Sequence, residues 1–493
     1  MGNTTLSTVI VIIYLAVIVG IIVWTGKKGS KTYKDFALGG NDIPWPVIAG
    51  TMFASTVGGG TMIGYVGNYK AYGMQWGMVP LLCFFFGMLY AGYVIAPKMK
   101  KLNQYTTGDM LGIRYGNGAR YIAAALNTLG EFSCVVAMAS SFATMVSGYL
   151  GLNNEIALVL GIVIFYFTAV MGGLKGVAWT DAIQAVIIFI TVVIVTILCM
   201  GMIKPLGGFA ALPKNMLNPL AANNNWLTMS GTILSCFLMS ISMQSLFVQR
   251  INACRTPEDA KKATLFEGVA VSVFMIFGIG YIGLSAYLLT PADVTGNAVV
   301  TAVLAQMPSI IGALYAAAII AAVLTTANSM LLSSSMSIVR DFMGIMNPEL
   351  KTDDAKQLKY SRIVMIVICI LVWLIVRQVP GVITWIMVTY TIIGSIAFPL
   401  YYGLRSKKAT PLSGILGLAL GGGIAILWEI LGIFKARPVA LADVHAIWIG
   451  LIFGIAGTLL GNLSQKKSTK EQLAYAEAYS NGITFEEALK RID

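Results

Sequence analysis

Residues 321–337 read AAVLTTANSMLLSSSMS, within an apolar run from Pro308 to Val339. Thr325, Ser329, Ser333 and Ser337 recur every fourth residue, with Ala322, Thr326 and Asn328 beside them, so on a helix the hydroxyls share one face. The flanking Ala, Ile and Leu suit hydrocarbon, yet a hydroxyl row turned toward lipid is costly. The stripe must face a protein interior or a water-filled path. That pattern belongs to a membrane protein that handles something polar.

The rest of the chain agrees. Hydrophobic residues make up 57% of the 493 and charged residues 11%, and the mean hydropathy is +0.80, which excludes a soluble globular protein. About thirteen apolar runs are long enough to cross roughly 30 Å of hydrocarbon. All read as helix, because an isolated strand cannot satisfy its backbone in lipid. The expected fold is an all-α polytopic membrane protein in the lipid bilayer.

Met1 to Ser7 carries no basic residue, whereas Lys27, Lys28, Lys31 and Lys34 follow the first apolar run. A cleaved leader has the opposite flanks, so residues 1–30 are expected to form an anchoring span with the N-terminus outside. Thirteen crossings then place the C-terminus in the cytoplasm. Of the 33 Lys and Arg, only Lys70, Lys204, Lys214, Arg377, Lys435 and Arg437 fall on the outer side, as the positive-inside rule requires. The net charge of +12 is thus a topology signal that needs no nucleic-acid partner. The short bare loops fit a bacterial inner membrane, and no obligate protein partner is expected.

Nothing points to an enzyme. The six cysteines lie at no metal-ligand spacing, and no nucleophile elbow or phosphate loop is present. His445, the only histidine, reads as a surface residue. Residues 465–493 read as a solvated cytoplasmic tail, with a short amphipathic helix as the alternative.

In the second apolar run, Ala54-Ser55-Thr56-Val57-Gly58-Gly59-Gly60-Thr61 sets three glycines at mid-membrane depth. Such a run continues a helix poorly. Either the backbone unwinds there and lines a cavity, or the glycines let helices pack closely. Ser240, Ser242, Gln244 and Ser245 form a weaker counterpart later in the chain. Glu131, Asp181 and Glu429 are the acids inside apolar runs, and no Lys or Arg falls mid-membrane. Intramembrane carboxylates need a partner for their lost hydration. Asp181 either serves function or caps the helix after Gly172-Gly173. Glu131 pairs with a polar neighbour, stays neutral or faces a cation.

These residues resemble the sodium:solute symporter family. The likeness rests on Phe36-Ala37-Leu38-Gly39-Gly40, on Met171-Gly172-Gly173-Leu174 with Trp179-Thr180-Asp181-Ala182-Ile183-Gln184, on Gln249-Arg250, and on Ala321 to Ser335. It implies a leucine-transporter-like core of five plus five helices in inverted repeats. The repeats would span residues 44–202 and 226–403, with one helix before and two after at 411–464. It also implies a sodium ion (Na+) held by carbonyls of Ala54, Val57 and Ala322 and hydroxyls of Thr325 and Thr326. Such neutral oxygens suit a hard cation. A second sodium in some members implies Asp181, Asn328 and Ser329 here, with Asn328 replacing the usual serine.

Val57-Gly58-Gly59-Gly60 and Gly130-Glu131-Phe132 resemble the choline-transporting branch most. That branch cages its cation in tryptophans, whereas Thr56, Cys134 and Met243 take those places here and Trp385 remains. Choline is therefore disfavoured. Thr56, Gly58, Thr61, Glu131 and Gln244 would line a site for a small polar solute, with an amino acid or small organic acid favoured and a choline- or betaine-like cation second. Symport by alternating access is the expected function. A passive channel is the rival from another class, and a receptor would need a signalling domain that the tail is too short to supply.

Overall fold

A computed structural model describes residues 32–242, 244–378, 381–465 and 467–492, with 8–10, 12–14, 16, 17 and 20. The expected first span over 1–30 falls largely outside these residues, and Met243 falls outside them too. Among the described residues, regular structure is helical apart from one isolated bridge between Ile43 and Cys254.

A short helix, α1 (Tyr33–Leu38), is started by a Thr32 capping box and closed by Gly39 at φ 57°. It leads into a bent pair, α2 (Trp45–Thr56) and α3 (Gly60–Gln75), which meet at 55°. Then come α4 (Pro80–Leu102), a connecting helix α5 (Thr107–Tyr115), α6 (Asn117–Leu150), α7 (Asn154–Met171) and α8 (Gly173–Leu206). Gly173 turns α7 into α8 at φ 52°, a conformation that a side chain would strain. A second interrupted helix follows as α9 (Trp226–Ile241) and α10 (Ser245–Ala253). After it run α11 (Pro257–Leu289), α12 (Ser309–Met346), α13 (Asp354–Ile375), α14 (Val382–Arg405) and α15 (Pro411–Ile433). The shorter α16 (Ala446–Gly461) completes the apolar set. Among the described residues, ten helices are long and apolar enough to cross a membrane, or eleven with the bent pair as one span.

Burial sorts these helices. α8 exposes Ile183, Val186, Ile190, Val193, Ile194 and Ile197, an apolar stripe that water would not tolerate and lipid would. α12 is the opposite: Thr325, Thr326, Asn328, Ser329, Ser333 and Ser337 are all buried. The hydroxyl row thus faces protein, against α6, α7 and α2. At the periphery α15 and α16 approach through glycine. A Cβ on Gly421 would lie 3.0 Å from the Gly454 Cα, so close backbone contact replaces side-chain packing.

Two expectations are corrected. The tail is not a solvated strand of charge: α17 (Lys470–Asn481) and α18 (Phe485–Ile492) pack on the helix ends. Ala474, Tyr475, Ala478 and Tyr479 fall at helical spacing and are buried. Lys98 and Lys101 of α4 bond the Ser480 and Gly482 carbonyls (3.0 and 2.6 Å). His445 is likewise buried, capping α16 as its Nδ1 accepts the Ile447 N–H (3.3 Å).

Candidate functional site

The break between α2 and α3 creates the site. Val57 leaves helical geometry (φ −88°, ψ 69°), although its own N–H still closes the last turn on the Phe53 carbonyl (2.9 Å). The Gly59 N–H, which a continuous helix would give to the Ser55 carbonyl, rests instead on the Met138 sulfur of α6 (3.3 Å). Helix carbonyls are thereby freed, and α12 meets them. The Thr325 hydroxyl lies 2.8 Å from the Ala54 carbonyl and 3.0 Å from that of Ala322. The Thr326 hydroxyl lies 3.1 Å from the Ser55 carbonyl, 3.0 Å from Ala322 and 3.4 Å from Ala54.

Ala54, Ala322, Thr325 and Thr326 are therefore brought together, with Ser55 as a carbonyl that sequence reasoning missed, while Val57 marks the break. Hydroxyl hydrogens rotate, so both threonines can turn lone pairs inward toward a cation. All these oxygens are neutral. Among the described residues no cluster of three or more His, Cys, Asp or Glu could hold a metal ion. A hard monovalent cation suits neutral oxygens better than any transition metal would.

Beside this oxygen cluster is a small cavity, with about 40 Å³ open to the centre of a water-sized sphere. That is room for a few waters at most. Thr56, Gly58, Thr61, Cys134 and Gln244 line it, together with Thr326 and Ser55 from the oxygen cluster. Gln244 is buried and its Oε1 has no hydrogen-bond partner among the described residues. Three rings also line the wall, Phe84 of α4, Phe247 of α10 and Tyr390 of α14. Trp385 is buried one turn from Thr389, whose hydroxyl bonds its carbonyl (3.0 Å); Ile386, Thr389 and Tyr390 of α14 reach the wall and Trp385 does not.

The glycines serve both readings of the break. Gly58 and Gly60 line the cavity, and a Cβ on either would lie 2.6 Å from Thr326 Oγ1 or 2.7 Å from Ile386. Gly59 leaves no room beside Ser141 of α6.

Asp181 is no helix cap. It lies inside α8, buried, accepting the Thr51 hydroxyl (2.6 Å) and facing the Arg250 guanidinium at 3.7 Å. Arg250 corrects the expectation of no mid-membrane cation. It is fully buried on α10, and its Nη2 donates to Ser55 (2.9 Å) and Ser329 (2.5 Å). Asp181 and Ser329 thus share one polar centre, filled by Arg250. Asn328 is turned away, its Oδ1 accepting the Thr168 hydroxyl of α7 (2.6 Å). Adjacent helical residues point about 100° apart, so Asn328 and Ser329 meet different neighbours.

Glu131 has found polar partners and stands off the cavity wall. Its carboxylate accepts the Ser333 and Ser334 hydroxyls (2.6 and 3.0 Å) and the Leu246 N–H (3.3 Å), and Asn127 accepts the Ser245 N–H (2.9 Å). Together they cap the N-terminus of α10. Glu429 accepts the Thr391 hydroxyl (2.8 Å) beside Arg437. A further buried acid, Glu267 of α11, escaped the sequence reading and accepts the Thr56 hydroxyl (2.9 Å).

An interrupted helix that releases backbone oxygens beside a small polar cavity, within an all-helical membrane core, defines a cation-coupled carrier of the leucine-transporter fold. The sequence pattern of the sodium:solute symporter family matches residues 36–421, and the chain belongs to that family. It is 23% identical over 472 residues to the sodium/pantothenate symporter of Escherichia coli strain K12, covering 91% of this chain and 94% of that protein. It is 24% identical over 488 residues to the sodium/pantothenate symporter of Haemophilus influenzae, covering 94% and 97%. In fold it is similar to a Na+-coupled sialic acid symporter solved in a substrate-bound outward-open state. The TM-score is 0.75 at 19% identity, over 94% of this chain and 98% of that one.

Proposed function

We propose that this chain couples inward sodium flow to uptake of a small organic acid or amino acid by alternating access. The observation that carries this reading is the shared wall: Thr326 and Ser55 belong at once to the oxygen cluster and to the cavity. An ion held there draws the end of α2 onto α12 and shapes the space a solute would fill. By linkage each then raises the other's affinity by the same factor.

We place one sodium ion among Ala54, Ser55, Ala322, Thr325 and Thr326. The residues that a second ion would use are gathered around Arg250 or, for Asn328, turned to Thr168. The chain would comprise inverted repeats over 44–202 and 226–403, with each interrupted helix opening its repeat. Lysine-rich ends face the cytoplasm, in a bacterial inner membrane.

The cavity suits a carboxylate. Gly58, Gly60 and Thr61 present the N-terminus of α3 to it, where N–H groups and helix dipole favour an anion. Gln244 Oε1 awaits a donor on the same solute. Pantothenate and sialic acid, named for two similar proteins, are both carboxylates. A quaternary ammonium cation is the second reading, supported by Phe84, Phe247 and Tyr390 on the wall. Proteoliposomes decide between them. Sodium-driven uptake of labelled pantothenate or proline, competed by unlabelled carboxylates and unmoved by choline, is the expected result. Flux without sodium would return the channel reading, and competition by choline alone the ammonium one.

A further inference from the structure

Behind the cavity stands a carboxylate that the sodium site does not use. Glu267 is fully buried on α11, ten residues from the start of that helix at Pro257 and so about 15 Å along its axis. One oxygen accepts the Thr56 hydroxyl at 2.9 Å; the other, Oε2, has no hydrogen-bond partner among the described residues. Thr56 itself lines the cavity. Glu267 therefore sits one hydrogen bond away from the space a solute would occupy.

No charge offsets it. Among the described residues Glu267 forms no ion pair, and Thr56 is the one polar side chain that bears on it. α2 turns Thr56 toward it, and α4 presents Phe84 and Met88 to the adjoining Gly268. Tyr69 of α3, whose hydroxyl has no hydrogen-bond partner among the described residues, packs on Gly280 and Gly283 further along α11, and the other ionisable groups named here are committed elsewhere. Arg250 of α10 is bonded to Ser55 and Ser329 and faces Asp181 of α8. On α4, Cys83 donates to the Ile233 carbonyl, Tyr90 accepts from Arg405, Tyr93 lies under Lys261, and Lys100 bonds the Asn252 carbonyl. Lys70 of α3 bonds Thr290.

An ionised carboxylate left this way costs far more than a hydrogen bond returns. Asp181 has a guanidinium and Glu131 has two hydroxyls and a helix N-terminus. Glu267 has Thr56. A bound metal cation fits poorly, because the Thr56 hydroxyl is the one side-chain oxygen that bears on the carboxyl and a hard cation needs several. The smallest cation needs none.

We propose that Glu267 is a proton-binding site on the wall behind the cavity, loaded while it is buried as it is here and reporting to the cavity through Thr56. The proton comes from water when the surrounding helices part and is returned to water when they part again. This goes beyond the sodium-carrier reading. It is tested on the full chain without sodium or solute, so its failure would leave that reading standing.

Infrared difference spectroscopy of the purified wild type against Glu267→Gln at neutral pH reads the proton directly. The expected result is a protonated-carboxyl C=O band present in the wild type, absent from Glu267→Gln, and shifted in Thr56→Val, where the hydrogen bond is lost. Carboxylate bands alone would overturn the proposal. Thermal stability against pH gives a second readout. A proton held by the folded but not the unfolded chain makes the folded wild type lose stability, relative to Glu267→Gln, as pH rises above the ordinary carboxylate range. The unfolding constant should change by about tenfold per pH unit. A difference that does not vary with pH would also overturn it. Should Glu267→Gln fail to fold, the wild-type band and its shift in Thr56→Val still decide.

Discussion

Two helices break near the centre of this molecule, and they treat their loose ends in opposite ways. At the first, between α2 and α3, the Gly59 N–H rests on a thioether sulfur and the Ala54 and Ser55 carbonyls meet only rotatable hydroxyls. At the second, between α9 and α10, Asn127 and Glu131 satisfy the first N–H groups with an amide and a carboxylate. A thioether is a weak acceptor and a hydroxyl can turn, so the first break can exchange its partners for an ion and a solute. The second is held by groups of the protein's own. Arg250 of α10 then bonds Thr51 and Ser55 of α2, so the fixed break braces the open one. An interrupted helix is a binding site only where its ends are poorly satisfied.

The contrast is most easily broken at Gly59. A side chain there meets Ser141 of α6 and lies 3.1 Å from Val323 Cγ2 of α12. For Gly59→Leu the expected outcome is sodium-driven uptake reduced by about a hundredfold or more, because overpacking alone costs about 1–3 kcal/mol and the ligand-facing backbone is displaced as well. Protein that still elutes as a single folded species shows that insertion survived. Wild-type uptake would mean that the first break tolerates bulk as readily as the second, which already carries Ser242 and Gln244.

A smaller effect sharpens the same contrast. Thr325→Ala and Thr326→Ala each remove one oxygen from the proposed ion shell, and a hydrogen bond or ligand to a charged group is worth about 1.5–3 kcal/mol. The sodium concentration for half-maximal uptake should rise about tenfold or more in each, whereas Ser242→Ala at the second break should leave it unchanged. Unaltered sodium dependence in both threonine variants would remove the ion from this position.

Much of this was legible in the order of residues. The four-residue period of hydroxyls from Thr325 to Ser337 announced a buried polar face, and Gly58-Gly59-Gly60 announced a break. What escaped reading was depth. Arg250 follows a polar patch and precedes Arg255, and Glu267 follows Lys261 and Lys262, so each resembles a charge at the end of a span. Only the fold, by carrying α10 and α11 inward, makes one the partner of Asp181 and the other a buried acid. The tail misleads for a similar reason, since its lysines and glutamates outnumber the two tyrosines and four alanines that it buries. The family resemblance places Asn328 and Ser329 together at a second ion, and helical rotation separates them.

Glu131 gives the finest test. In Glu131→Gln one side-chain oxygen remains to accept the Ser333 hydroxyl and the Leu246 N–H, which share Oε1, and the new amide faces Ser334, whose hydroxyl can rotate to accept it. The shape of the cap survives with its partners, so stability should change by less than about 1 kcal/mol. Half-saturation for solute should stay within about twofold, as no cargo reaches a group that stands off the cavity wall. Thermal unfolding and uptake on the same preparation read both quantities. A tenfold weaker solute response with unchanged stability would make Glu131 a ligand, and the second break would then be open to cargo like the first.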